Sequence, residues 1–568
     1  MRLVPQLADF AARQYGASPF LLRFEDGRWQ GFDFIEAARA VHAFARLLEE
    51  LGVGPRVTVG VTSENRPEYG LAYLAILDAG GIAVPLDVQL TAREHAEILS
   101  AADVSIAIGS ARTLGVLEEA RRARGGRLTL VSLDDGHGLP SFPEARRRLA
   151  QAGARPTRGE PGDVAALLFT SGTMGRPKGV MLSHANLLSN VEAVAQTFAF
   201  GPNDRLLSVL PLHHAFECTA GFLCPLRVGA SVAYARGFKS TELREDLRTS
   251  GATVMLGVPL LYEKLVAAVG RGIDAEPSMR RAVARALRGG TRAVRRTTGL
   301  RIGRAALRPL RARAGLDGIR FLVSGAAALP ASVFWGLVDL GWPVLEGYGL
   351  TECAPIVSAG RPGRSRPGSV GWPLPGIELR IVEPDVQGNG EIAVRGPNVM
   401  LGYHHDPAAT AAVLRDGWFH TGDLGRLARD GALRITGRLK NMIATAAGKK
   451  IYPEEIEERL AGCPFVLELA VVGGRDPRGE REEVHAHVFP DVRALANLAA
   501  ARGQPLDDAF VEEILRHEIE VRCRSLAPYK RVKRLLVRHE PFSKTTTGKI
   551  RRYELAHEPA AAAGPAVA

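Results

Sequence analysis

From residue 57 onward, short apolar runs alternate with amphipathic stretches. VTVGVT, a helical stretch through Tyr69 and Leu77, IAVPLD, a second helical stretch near Ala92 to Leu99, and VSIAIG follow in order. Strands and helices alternating in this way build a doubly wound parallel sheet. The rhythm recurs in LLSVLPL, SVAYA, TVMLGV and IRFLVSG, four runs apolar enough to be buried on both faces. After Val370 the texture changes to IELRIV, GEIAVRG and GALRITG, short strands broken by glycine and proline, which predict a small β-rich, barrel-like subdomain. Beyond Gly437 the pattern is compact α+β, with PEEIEERL a helix carrying proline in its first turn. The terminal EPAAAAGPAVA is low-complexity, and residues 557–568 are expected to be a disordered tail.

The pattern therefore predicts an α/β protein: a large N-terminal domain, residues 1–436, of two doubly wound sheets with the β-rich subdomain at about 370–436, then a small α+β domain at 441–556. Length agrees, since 568 residues exceed what one hydrophobic core organises. MRLVPQLADFAARQYG lacks a basic start followed by an apolar segment, and no apolar run is long enough to cross a bilayer, so a cytoplasmic protein is expected. Cys218, Cys224, Cys353, Cys463 and Cys523 are scattered without C-x-x-C pairs, and suggest neither a disulfide framework nor a zinc site.

Charge changes the picture at one place. The formal net charge is +12, and between Pro277 and Leu316 lie twelve arginines and no acidic residue. This marks a basic helical insertion at about 272–318. Three readings are open: a solvated helical face, an anionic membrane surface met by the interleaved Val283, Leu287, Val294, Leu300 and Leu307, or nucleic acid. Nucleic acid comes last, because no aromatic side chain interleaves the arginines to stack on bases. No nucleic-acid partner is expected, and peripheral association at the inner face of an anionic membrane is kept.

Candidate chemistry begins at LLFTSGTMGRPKGVMLSH, Leu167 to His184. Ala165 to Phe169 reads as a buried strand, and Leu187, Leu188, Val191, Val194 and Phe198 recur at helical spacing, so strand, loop and helix are expected in turn. Backbone N–H groups of a turn containing Gly172 and Gly175, hydroxyls of Thr170, Ser171 and Thr173, and the charge of Lys178 make a cradle for phosphate. It is not the Walker loop, because Lys178 follows proline and precedes Gly179.

Downstream stand SGAAALP (Ser324 to Pro330), EGYGLTE (Glu346 to Glu352), GWFHTGDLG (Gly417 to Gly425), GRLKNMI (Gly437 to Ile443) and SKTTTGKIRR (Ser543 to Arg552). With the loop, these six ordered motifs resemble the core motifs of the adenylate-forming superfamily, which includes acyl-CoA synthetases, adenylation domains of peptide synthetases and luciferase. The resemblance spans roughly Val164 to Arg552. It implies ATP, Mg²⁺ and coenzyme A, and a two-step reaction in which a carboxylate takes AMP from ATP and a thiol then displaces AMP.

Residue by residue, the resemblance puts Thr170 to Lys178 around the β- and γ-phosphates and makes Glu352, with Thr170, the Mg²⁺ ligands. Tyr348 between Gly347 and Gly349 stacks on adenine, which the backbone of Gly325, Ala326 and Ala327 encloses; Glu346 opens that motif and Thr351 donates to the α-phosphate. Asp423 holds the ribose hydroxyls with Arg438 assisting. Lys549 resembles the mobile catalytic lysine, carried on a small domain that rotates about a hinge at 437–440 centred on Lys440. Gly448 and Lys449 then line the path of the CoA arm.

PLHHAFECTAGFLCPL, Pro211 to Leu226, resembles a wall of the acyl pocket, with His214, Phe216 and Cys218 as its candidate lining residues. Cys218 stands where some long-chain relatives carry a tryptophan gate. PLHHAFECT, VPLLYEKL and the basic insertion look most like bacterial long-chain fatty acid–CoA ligases, which makes a fatty acid the implied substrate and leaves a homodimer open. Three alternatives stand beside it: a fatty acyl-AMP ligase loading a carrier protein, an amino-acid adenylation domain that would use Glu217 toward an ammonium, and a non-catalytic nucleotide-binding protein.

Overall fold

A computed structural model of the chain describes residues 1–148, 157–170, 177–237, 240–275, 277–313, 316–444, 450–475, 482–544 and 550–555. The fold is mixed α/β. A seven-stranded sheet has the strands Thr58–Thr62, Ile82–Pro85, Ile106–Gly109, Thr129–Ser132 and Val164–Thr170 in parallel, with Lys178–Ser183 and Gly402–Tyr403 added antiparallel on one edge. A nine-stranded sheet runs parallel through Val344–Gly349, Phe321–Ser324, Val254–Gly257, Arg205–Ser208, Ser231–Tyr234 and Pro19–Glu25. Its last parallel strand and the antiparallel edge strand Arg28–Asp33 come from the first 33 residues, so the N-terminal segment, where no alternation was read, completes the second sheet.

The helix Pro67–Asp78 shows why the two sheets share a core. All twelve of its residues are buried, as expected of a helix apolar on every side. Gly70 leaves room for Phe222, whose ring carbon would lie 2.6 Å from a Cβ added there. Phe222 belongs to a π-helical segment, Glu217–Leu223, a widened turn that sequence periodicity does not reveal and that often marks a functional position. It falls within the candidate acyl wall.

The β-rich region is a five-stranded antiparallel sheet made of Glu378–Val382, Gly390–Arg395, Leu414–Arg415, Trp418–Leu427 and Leu433–Arg438. Toward the C-terminus, Val466–Arg475, Glu482–Pro490 and Arg534–Val537 form a three-stranded sheet with helices Pro453–Leu460 and Asp508–Cys523 on it. All five cysteines are free and buried. Among the described residues no helix is long and apolar enough to cross a membrane.

One buried ion group ties the N-terminal helices together. Helix Phe34–Glu50 opens with a reciprocal cap between Asp33 and Glu36, an arrangement contributing about 1 kcal/mol. It carries His42 into the core, 3.0 Å from Asp78 and 2.9 Å from Asp9. Asp78 ends its own helix, where the dipole disfavours an anion; the imidazolium offsets this. Burial opposes charging of His42, but hydrogen bonds and charge from Asp78 and Asp9 outweigh it and lift the imidazole to about 9. A folded-state value above the ordinary 6.5 means stabilisation that is complete below that value and is lost as pH rises through about 9. Melting temperature should therefore fall between pH 7 and 9.5 in the wild type, and His42→Gln should melt lower at pH 6.5 with a shallower decline. Parallel curves would refute the assignment.

Candidate active site

The phosphate-cradle segment differs from its expected shape. Strand Val164–Thr170 is present, but before helix His184–Thr197 comes a second strand, Lys178–Ser183, paired antiparallel to the first. GVML is too short a run to be told from the start of the helix by periodicity. The hairpin register sets Thr170 opposite Lys178, which brings the two ends of the loop together. Ser171, Gly172, Thr173 and Gly175 lie outside the described residues. Gly179 is required by crowding, since a Cβ there would come within 2.9 Å of Leu167 and 3.2 Å of His404.

Gly402–Tyr403 pairs with the outer edge of this hairpin, Tyr403 opposite Val180. Its ring lies beneath the Lys178 ammonium, 4.9 Å from the centroid, within cation–π range. Its hydroxyl donates to Glu352 Oε1 at 3.0 Å. Burial, then the charge of Glu352, push the Tyr403 phenol well above its usual range, so it remains a neutral donor. Glu352 itself sits in a short turn, Thr351–Cys353, pinned at both ends: Asn398 donates to Cys353 O at 2.8 Å, and Met400 N donates to Glu352 O at 2.8 Å. Tyr403 thus joins the phosphate-loop lysine to the candidate metal ligand. No motif pointed to it, because its two-residue strand lies far downstream of both partners.

The nucleoside side is built on Asp423, buried at the middle of strand Trp418–Leu427. Tyr348 donates its hydroxyl to Asp423 Oδ2 at 2.8 Å, and Arg438, the register partner of Asp423 on the next strand, reaches Oδ1 at 2.9 Å. Three residues chosen from separate motifs therefore meet. Lys440 follows in the turn Leu439–Asn441. Burial, then the charge of Arg438, hold its ammonium below the usual lysine range, while Asp423 and Glu352 act in the opposite sense. The hinge candidate therefore lies in the field of both site carboxylates.

Gly349 is glycine for a reason other than nucleotide approach. A Cβ there would stand 2.1 Å from the Pro355 carbonyl oxygen, so it is the returning chain that demands a bare backbone. Gly347 is looser, with Ser358 O at 3.5 Å. Glu346 turns inward: it is buried and accepts from Leu329 N at 3.4 Å, and burial raises its carboxyl to about 8. Its partner Leu329 follows the Gly325 to Ala327 segment by two residues. Ala326 in that loop takes a left-handed conformation, φ 69°, and Ala326 and Ala327 are exposed.

The candidate acyl wall meets this loop through Phe216, whose ring would stand 3.0 Å from a Cβ at Gly325. The His213 and His214 rings are 4.2 Å apart, and His213 Nε2 lies 3.4 Å from Asp87. Cys218 is buried against Tyr73, and burial pushes its thiol up to about 12. Glu217 is also wholly buried; Ser208 donates to it at 2.6 Å, and burial raises it to about 8.

The site accordingly holds two ionisable carboxylates, two phenol donors and three cationic side chains, Lys178, Arg438 and Lys440. The Glu352 carboxylate and Thr170 hydroxyl are the hard oxygen donors that Mg²⁺ takes, and the Lys178–Ser183 strand packs against the Glu352 turn. Lys549, Gly448 and Lys449 lie outside the described residues.

Comparison with known proteins agrees. Residues 8–404 match the model of the AMP-binding enzyme family. The chain is 32% identical over 494 residues to a 3-[(3aS,4S,7aS)-7a-methyl-1,5-dioxo-octahydro-1H-inden-4-yl]propanoyl:CoA ligase of Mycobacterium tuberculosis, covering 84% of this chain and 87% of that one. It is also 32% identical over 480 residues to the long-chain-fatty-acid–CoA ligase FadD15 of Mycobacterium bovis, covering 80% and 77%. The ATP-bound crystal structure of MatB from Rhodopseudomonas palustris superposes with a TM-score of 0.75 at 27% identity, covering 97% of this chain and 98% of that one. The chain belongs to the family of AMP-binding enzymes.

Proposed function

We propose that the protein is an AMP-forming acid–CoA ligase whose acid is a long-chain fatty acid. The observation that carries the enzymatic reading is the joining of Lys178, Tyr403 and Glu352 on one side and Tyr348, Asp423 and Arg438 on the other. In the first step a carboxylate oxygen of the acid bonds to the α-phosphorus of ATP, and the bond to the bridging β-phosphate oxygen breaks, releasing pyrophosphate. Both reactants are anions, so fixed positive charge is the main requirement. Lys178 supplies it at the loop, Lys549 at the reacting centre, and Asp423 with Arg438 fixes the ribose. Mg²⁺ held by Glu352 and Thr170 would neutralise phosphate charge. In the second step the CoA sulfur bonds to the carbonyl carbon and AMP leaves.

Residues 437–440 serve as the hinge between domains 1–436 and 441–556, withdrawing Lys549 and presenting Gly448 and Lys449 to CoA. The long-chain assignment is supported by the likeness to FadD15 and by the acyl-wall segment. The hydrindane-propanoate ligase is as similar, so a bulky ring acid is the competing substrate. Against an amino acid stands Glu217: a wholly buried, largely protonated carboxyl gives a substrate ammonium no partner. A peripheral position on an anionic membrane suits a long-chain acid, which partitions into lipid.

Lys549→Ala should abolish acyl-AMP formation while thioester formation from preformed acyl-AMP survives; equal loss of both would exclude the moving-lysine account. Tyr403→Phe removes one hydrogen bond to a charged group and should lower kcat/KM for ATP by about ten- to a hundredfold, with a raised Mg²⁺ requirement; wild-type magnesium dependence would dissociate Tyr403 from Glu352. Acids of C8 to C18 assayed for CoA thioester should show rising kcat/KM, because each buried methylene contributes about 0.8 kcal/mol. A preference for ring acids over every straight chain would overturn the long-chain reading.

A further inference from the structure

The twelve arginines of residues 277–316 fall into two populations once folded. Arg292 and Arg295 turn toward the protein and bind Asp339, whose side chain is 1% exposed, and Arg295 also lies 3.9 Å over the ring of Trp335. Arg311 is buried and donates to Gly303 O, Leu340 O and Asp317. These anchor the insertion. Arg281 and Arg285 gather on Asp274. Arg280, Arg296 and Arg304 are exposed and meet no acidic partner among the described residues.

Helix Ser278–Thr298 spans about 31 Å at 1.5 Å per residue. Its inward face is defined by Thr291, buried and donating to Asp339 O, and by Arg295. Met279, Val283 and Leu287 recur every four residues along a different stripe, and they are 80%, 54% and 44% exposed. Just past the left-handed Gly299 cap, Leu300 and Ile302 are 61% and 40% exposed. An outward apolar stripe on a helix otherwise rich in arginine is the form of an interfacial helix.

We propose that this helix and the segment after its Gly299 cap dock the protein on an anionic lipid surface, with Met279, Val283 and Leu287 entering the headgroup–acyl boundary and Arg280 and Arg296 of the helix, with Arg304 of the following turn Gly303–Ala306, meeting lipid phosphates. Charge complementarity selects this occupant. A second copy would bring an equally basic face against it, and like charges repel. Nucleic acid would find no aromatic ring there to stack on. The proposal extends the functional reading by naming the surface, and it holds for any acid substrate.

The test is sedimentation of the full chain with vesicles of phosphatidylcholine alone or with 30% phosphatidylglycerol, at low and high salt; the lipid fraction is chosen at about physiological anionic content. Binding should require phosphatidylglycerol and weaken with salt. The variant Met279→Gln/Val283→Gln/Leu287→Gln should lower the partition coefficient by about tenfold or more, as should Arg280→Gln/Arg296→Gln/Arg304→Gln, with melting temperature unchanged because none of these side chains is buried. No binding to anionic vesicles, or undiminished binding by both variants, would overturn the proposal. So would a lipid-free dimer dissolved by the first variant, or tighter binding to RNA than to vesicles. CoA ligation of a soluble C8 acid in the first variant separates this outcome from failure of the enzymatic reading.

Discussion

The site depends on fixing two carboxylates, Glu352 and Asp423, each by a hydrogen bond from a phenol. A tyrosine hydroxyl reaches each of them, Tyr403 to Glu352 and Tyr348 to Asp423, and Asp423 is paired directly with Arg438 as well. A phenol raised far above its normal range stays a donor at any working pH. Lys178 stands one remove from Glu352, over the Tyr403 ring, whereas Arg438 pairs directly with one oxygen of Asp423.

That arrangement is carried by a scaffold of close contacts in which glycines mark the joints. Phe222 fits over Gly70 of the central buried helix, and Phe216 over Gly325 of the loop beneath the nucleoside side. Both rings belong to or border the π-helical turn, so one irregular segment touches the shared core and the nucleotide loop at once. A shift in the acyl wall would be felt at the loop, since packed interiors transmit displacement rather than absorb it. Glu346, buried, accepts a hydrogen bond from Leu329 just after the same loop.

The insertion shows the limits of composition. Its arginine content was compatible with a solvated face, a lipid surface or nucleic acid. Only folding separates the guanidiniums consumed by Asp339 and Asp317 from those left outward beside an apolar stripe. The same residue type is an internal anchor at Arg295 and a surface charge at Arg296, one position apart.

The alternation of apolar runs determined the α/β class, because buried parallel strands and their covering helices impose their periods on sequence locally. The six motifs determined the family and most candidate site residues for a similar reason: each is a contiguous segment whose chemistry can be read in place. The second strand of the cradle hairpin, the π turn that seats Phe222 on Gly70, the inward turn of Glu346 and the contacts of Tyr403 were decided by tertiary structure alone. Each depends on a partner distant in the chain: Thr170 and Tyr403 flank the hairpin strand, Phe222 needs Gly70, Leu329 takes Glu346, and Tyr403 joins Lys178 to Glu352. Local pattern records what a segment buries, whereas which segment it is buried against is set only when the chain closes on itself.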